Sequence, residues 1–240
     1  NSKSGHMVYT FFENRDGYNL ITFEKLIKDG IKQLKSGRSD KVFQFTVDRN
    51  SDAGMIKFRN ILAYNQTTFA GVVDSIIDGG FHNTATTWSP DGSIIDEARY
   101  FETEDGDNIP TSDEGGRISL TPQAVARKEQ VPNNVMLIAV NPETRPNNKI
   151  AEVQTRRVAT ISRLQQVEAQ IMVYGDTDLK VGDVIECSFP SSTEIDETTG
   201  EAKYISGNYL ISHLRHMIVN GDQPQHVISC NLMKSGVRGD

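Results

Sequence analysis

Five histidines and two cysteines are the side chains of this 240-residue chain best suited to hold a metal or attack a substrate. His213 and His216 stand three apart inside an extended run. On a strand that odd spacing sends them to opposite faces, so they do not jointly hold zinc as they would on a helix. His226 comes within reach of either across a sheet, but two histidines without a third ligand make a poor closed zinc site, and a structural role is the expectation. His82 is read as isolated in a polar, Thr-rich stretch running to Pro90. Cys187 and Cys230 both fall in predicted strands, where free thiols behave as small hydrophobes; a disulfide between them stays open at this level. Neither sits beside a base that would make it a nucleophile.

The acidic residues gather in two breaker-rich loops. Asp105, Asp107, Asp113 and Glu114 crowd the segment 102–116, and Asp196, Glu197 and Glu201 a second one. A calcium loop is the functional reading of the first, since hard cations want several carboxylates, but the EF-hand spacing, with its glycine and terminal glutamate, is not there. A solvated loop is preferred. No G-x-S-x-G elbow, H-E-x-x-H or P-loop lysine pattern occurs. A glycosidase needs two carboxylates flanking a cleft, one with a raised pKa, and exposed loops do not supply that. The net charge of −7 disfavours gripping a phosphate backbone. The strand aromatics Tyr9, Phe11, Phe43, Phe45, Tyr204 and Tyr209 come with few positive charges, so core packing is expected of them over base stacking. No catalytic, cofactor-binding or metal-binding residue is therefore expected, and no cofactor.

What remains is scaffold. Residues 1–7, with Gly5-His6-Met7, resemble the remnant of an expression tag. Residues 8–38 read as a hairpin plus helix. Val8–Glu13 and Tyr18–Ile21 flank the turn Asn14-Arg15-Asp16-Gly17; Thr22 is the predicted N-cap, Phe23, Leu26, Ile27, Ile31 and Leu34 make an apolar stripe, and Ser36-Gly37 ends the helix. Trp88 is expected to serve packing or an interface. Residues 39–240 read as a β-domain carrying the acidic loop near 102–116 and a helix near 150–166. Its strands are Lys41–Val47, Phe69–Ile77 and Asn134–Val140, the last expected to be covered on both faces; Met55–Leu62 is ambiguous between strand and helix. The helix shows a broken stripe of Ile150, Val153, Ile161 and Leu164, and its arginines, Arg156, Arg157 and Arg163, suggest a solvated basic face.

The last third is the most regular. Val167, Ala169, Ile171 and Val173 alternate with Glu168, Gln170, Met172 and Tyr174. Gly175-Asp176 and Gly182-Asp183 supply turn chemistry. Ile185, Cys187 and Phe189 restart the alternation, which continues through Tyr204–Val219 and His226–Met233. Consecutive strands with short turns predict an α+β, mainly β fold built on an antiparallel barrel, drawn from about Lys41–Phe81 together with Ile118–Met233. Its expected core is Ile171, Val173, Ile185, Phe189, Leu210, Leu214, Ile228 and Leu232.

In their order, Gly175, Asp176, Leu179, Val181, Gly182, Asp183 and Ile185, followed by Ser206, Gly207, Tyr209, Leu210 and Ile211, match the pattern GDT-x-L-x-VGD-x-I then SG-x-YLI. With the opening Phe11–Leu20 and Phe23-Glu24-Lys25-Leu26, this resembles the carboxy-terminal portion of baseplate hub proteins of contractile-tailed, T-even-like bacteriophages. The resemblance implies a homotrimer with two barrels per subunit, one of them upstream of this chain. Such a ring joins the tail tube to the central spike around a lumen through which DNA passes without sequence-specific binding. It implies a virion protein assembled in the host cytoplasm. A spike or hub of a contractile secretion system or pyocin-like particle is the alternative, though the short repeats of a β-helical needle are missing; a cell-wall hydrolase ranks last. No apolar run is long enough to span a membrane.

Overall fold

The computed structural model describes residues 8–36, 42–44, 59–69, 72–101, 134–140, 149–189, 205–220 and 225–235. Strands β1 (Tyr9–Asn14) and β2 (Gly17–Thr22) form an antiparallel hairpin in which Asn14 pairs Gly17. Gly17 sits at φ 118°, a conformation that costs residues with a Cβ. Helix α1 (Phe23–Lys35) follows at once. Thr22 Oγ1 accepts the Lys25 N–H at 3.3 Å as N-cap, and Lys32 and Lys35 lie at the end where the helix dipole favours cations.

The main sheet has six strands in the order β3 (Val42–Gln44), β9 (Val184–Ser188), β10 (Gly207–Val219), β11 (Gln225–Lys234), β8 (Val167–Tyr174) and β4 (Ile61–Phe69). It curls into a half-barrel. The pairs among β4, β8, β11, β10 and β9 are antiparallel, as expected, but β3 runs parallel to β9. The predicted alternation holds on β8, where Val167, Ala169, Ile171 and Val173 are buried. The core on the concave side gathers Phe43, Ile61, Ile171, Val173, Ile185, Phe189, Tyr209, Ile211, Ile228, Cys230 and Leu232, with Leu214 packed against it.

A second sheet of three strands, β6 (Ile94–Phe101), β5 (His82–Trp88) and β7 (Asn134–Ala139), packs on helix α3 (Ile150–Leu164). Here the sequence reading needs correction. The expected single barrel included β7; instead β7 lies parallel to β5, in the other sheet. His82 and the threonines after it form a central strand, not a loop: part of its polarity is bound inside the fold, where Asn83 Nδ2 donates to the Thr155 carbonyl at 3.0 Å and Thr87 Oγ1 to the Asp96 carbonyl at 3.1 Å. Only one face of β7 is covered, since Val135 and Leu137 are exposed.

Two helix readings also change. The predicted strand 69–77 breaks after Phe69, and α2 (Val72–Ile77) follows. Its β-branched residues suggested a strand, but Gly79 and Gly80 close it as a helix. Gly79 N–H donates to Ile76 O at 3.1 Å and Gly80 N–H to Ser75 O at 2.7 Å, with Gly79 at φ 80°. On α3, Val153 is exposed while Ala151, Thr155, Ala159, Ser162 and Arg163 are buried. The buried face is made of small residues that fit the short side chains of β5. Arg163 is not on a solvated face: its guanidinium lies 5.4 Å from the Phe81 ring centroid. The acidic loops 102–116 and 196–201, Tyr204, Phe45 and, of the stretch Met55–Leu62, residues 55–58 lie outside the described residues, and Ile61 and Leu62 belong to β4.

Candidate functional site

The segment from Gly175 to Asp183 links β8 to β9 and is the point where three parts of the chain meet. Gly175 N–H donates to His226 O at 2.7 Å. A Cβ on Gly175 would lie 2.0 Å from His226 Nδ1, so glycine is needed here for close approach and not for a turn. Asp176 Oδ1 accepts the Asp178 N–H at 2.8 Å, a local Asx turn. Gly182 has φ 90°, and its N–H donates to Ile211 O at 3.0 Å. Asp183 Oδ2 accepts the Lys180 N–H at 3.1 Å, and its carbonyl accepts the Ile211 N–H at 2.9 Å, which extends the β9–β10 ladder past its formal end.

The same segment docks the hairpin. A Cβ on Gly182 would meet Phe12 Cζ at 2.7 Å. Arg15 Nη2 lies 3.0 Å from Asp178 Oδ1, and Lys180 Nζ pairs with Asp16. The Lys180 ammonium holds the Asp16 carboxyl below its ordinary range, chiefly through that hydrogen bond. These pairs are solvent-exposed and fix orientation more than they stabilise. Deeper in, Gly30 of α1 lies against β9: a Cβ there would be 2.3 Å from Val184 Cγ2.

Of the eight predicted core residues, Ile171, Val173, Ile185, Phe189, Ile228 and Leu232 meet in one cluster and Leu214 packs against it. Leu210 is buried but belongs to the other face, paired with Val184 on the side that α1 covers. The reason is a β-bulge. Ile211 pairs Leu232 and His213 pairs Asn231, leaving Ser212 as the extra residue. The bulge resets the alternation, so Tyr209 and Ile211 face the core before it and Leu214 after it.

The sequence reading passed over one buried group. Lys234 is fully buried; its Nζ donates to Ser206 O at 2.8 Å and stands 5.4 Å from the Tyr209 ring centroid. The alternation Ile228, Cys230, Leu232, Lys234 points it inward, a signal available in the sequence. Of the two histidines that His226 was expected to reach across the sheet, it meets His216: His216 Nδ1 and His226 Nε2 lie 3.0 Å apart. His213, as expected, faces away from His216. Cys187 and Cys230 are buried free thiols on strands separated by β10, which decides against the disulfide. Burial raises the pKa of both, that of Cys230 to about 12.

Beside the core, the cavity lined by Tyr64, Gln66, Ala169, Phe189, Ile205 and Tyr209 amounts to about 10 Å³, the room of about one water and not of a small molecule. Among the described residues no three His, Cys, Asp or Glu come together to hold a metal, and no helix is long and apolar enough to cross a membrane. The apolar surface is instead outward. On the hairpin, Tyr9, Phe11, Tyr18 and Leu20 share one exposed face, Phe11 being 68% exposed and stacked on Tyr18 at 5.9 Å. On the three-stranded sheet, Trp88, Val135 and Leu137 share the face turned away from α3, with Leu137 73% exposed. No protein-family model and no curated protein matches the chain.

Proposed function

We propose that this chain is a structural component of a contractile-tail baseplate hub, which links the tail tube to the central spike around a DNA channel and catalyses no reaction. The observation that carries the reading is the outward apolar faces of the hairpin and of the three-stranded sheet, each with large side chains in water. Contiguous apolar surface of this kind marks protein–protein contact, and a hub is almost entirely contact surface. The ordered turn-and-strand pattern from Gly175 to Ile211 supplies the resemblance, and the curled, mainly β sheet is compatible with it. The acidic balance suits a lumen past which DNA moves without sticking.

The test is co-expression with the tail-tube and spike proteins of a contractile tail. The hub reading expects co-purification as a defined complex, with three copies of this chain, and weakened assembly when Phe11→Ser and Leu137→Ser are combined. A chain that stays monomeric at high concentration and captures neither neighbour overturns it. So does catalytic clearing of a peptidoglycan suspension, which would make the chain a hydrolase.

A further inference from the structure

We propose that His216 and His226 form a two-point chelate for a divalent transition metal of the zinc, nickel or copper class, on the exposed end of the β10–β11 ribbon. The two residues sit diagonally across the antiparallel pair, His216 opposite Ile228 and His226 opposite Ile218. That register places both imidazoles on one face. Their nearest ring nitrogens, Nδ1 of His216 and Nε2 of His226, are 3.0 Å apart. Metal–imidazole bonds of about 2.0–2.1 Å place two adjacent ligand nitrogens about 3.0–3.4 Å from one another, so the pair already stands near chelating separation.

The second ring is held in place. The His226 backbone oxygen accepts the Gly175 N–H, and its imidazole occupies the space that any side chain at Gly175 would fill. That is preorganisation of one ligand by a third strand. The surroundings add no positive charge that would repel a cation. The neighbours on this face are Leu214, Ile218, Ile228 and Val173, while His213 and Arg215 point to the opposite one. No Lys or Arg of the described strands therefore shares the site.

In the metal-free pair one ring donates an N–H to the bare nitrogen of the other. On binding, that proton moves to the far nitrogen of its own ring, and both facing nitrogens give their lone pairs to the ion. No proton is gained or lost by a neutral pair. Imidazole is a borderline ligand that suits zinc, nickel and copper and not magnesium. Since no third ligand stands nearby among the described residues, the remaining coordination positions face solvent.

Isothermal titration of the full chain with ZnCl2 and with NiCl2 decides it, with His6→Ala in every sample so that the amino-terminal imidazole does not compete. The expected result is one saturable equivalent of either metal and no response to MgCl2. Both His216→Ala and His226→Ala should weaken binding at least about tenfold, His213→Ala should leave it unchanged, and Gly175→Ala should weaken it about tenfold by displacing the His226 ring. Circular dichroism melts report folding of each variant; the exposed His216→Ala keeps the test informative if Gly175→Ala unfolds. Absence of saturable binding by the parent overturns the proposal and leaves the pair a hydrogen bond alone. Undiminished binding by the His216→Ala/His226→Ala double variant overturns it too.

Discussion

Gly182 carries two constraints at once: a backbone at φ 90° and a Phe12 ring where a Cβ would stand. Strain at positive φ and overpacking each cost about 1–3 kcal/mol. Gly182→Ala should therefore lower unfolding free energy by about 2–6 kcal/mol, read as a reduced urea midpoint at unchanged slope. The thiols make a pH prediction. Both have folded pKa values raised by burial, so their contribution is intact below pH ~9 and is lost as pH climbs toward the folded values, about 12 for Cys230. Between these limits each thiol should remove about 1.4 kcal/mol per pH unit, and Cys187→Ala/Cys230→Ala should flatten the alkaline limb of stability against pH. The turn residues were legible from their types alone. The task of Gly175 was not, because what it makes room for is the ring of a residue fifty-one positions along the chain.

Among the elements, those with strong local signals came through: the hairpin with its Asp-Gly turn, the Thr22-capped helix, the alternating β8 and β11. Those decided by packing did not. Helix α2 carries strand-like residues and is settled by the two glycines after it. Strand β5 looks like a loop because it is polar, and part of that polarity is bound inside the fold, as by Asn83 Nδ2, which donates to the carbonyls of Gly79 and of Thr155 on α3. How α1 sits on the sheet rests on Gly30, where the two backbones come close. Gly30→Ala should cost about 1–3 kcal/mol through collision with Val184. Pairing it with Val184→Ala should cost less than the sum of the two single changes, since the second removes the atoms the first strikes; a double-mutant cycle by chemical denaturation measures the coupling.

Across the whole molecule, stability rests chiefly on the six-stranded sheet, while the outward apolar faces lie on the hairpin and the three-stranded sheet. The six-stranded sheet holds the large apolar cluster, and the layer around α3 has an apolar core of Tyr100 and Ala159 beside many buried polar groups. Ile171→Ala should consequently cost about 2–5 kcal/mol by leaving a cavity in the larger cluster. Exposed Leu137→Ser should leave the melting temperature near that of the parent, within about 0.5 kcal/mol, while changing what the surface sticks to. Fold class and the half-barrel walls were readable because period-two hydropathy states which side of a strand is wet. The split into two sheets was not, because the parallel pairings β3–β9 and β5–β7 join segments far apart in the chain.

The unpaired serine in β10 has a last consequence. Excising Ser212 would change the mass of the chain by one small residue and its hydropathy hardly at all. Because Ile211 already pairs Leu232 and His213 already pairs Asn231, those two residues would then stand side by side on opposite faces, and from His213 onward the strand would keep its orientation, with Leu214 inward and Arg215 outward. The serine thus adds a local bend and twist, whereas loss of a paired residue such as Arg215 would turn every later side chain of the ribbon to the wrong face.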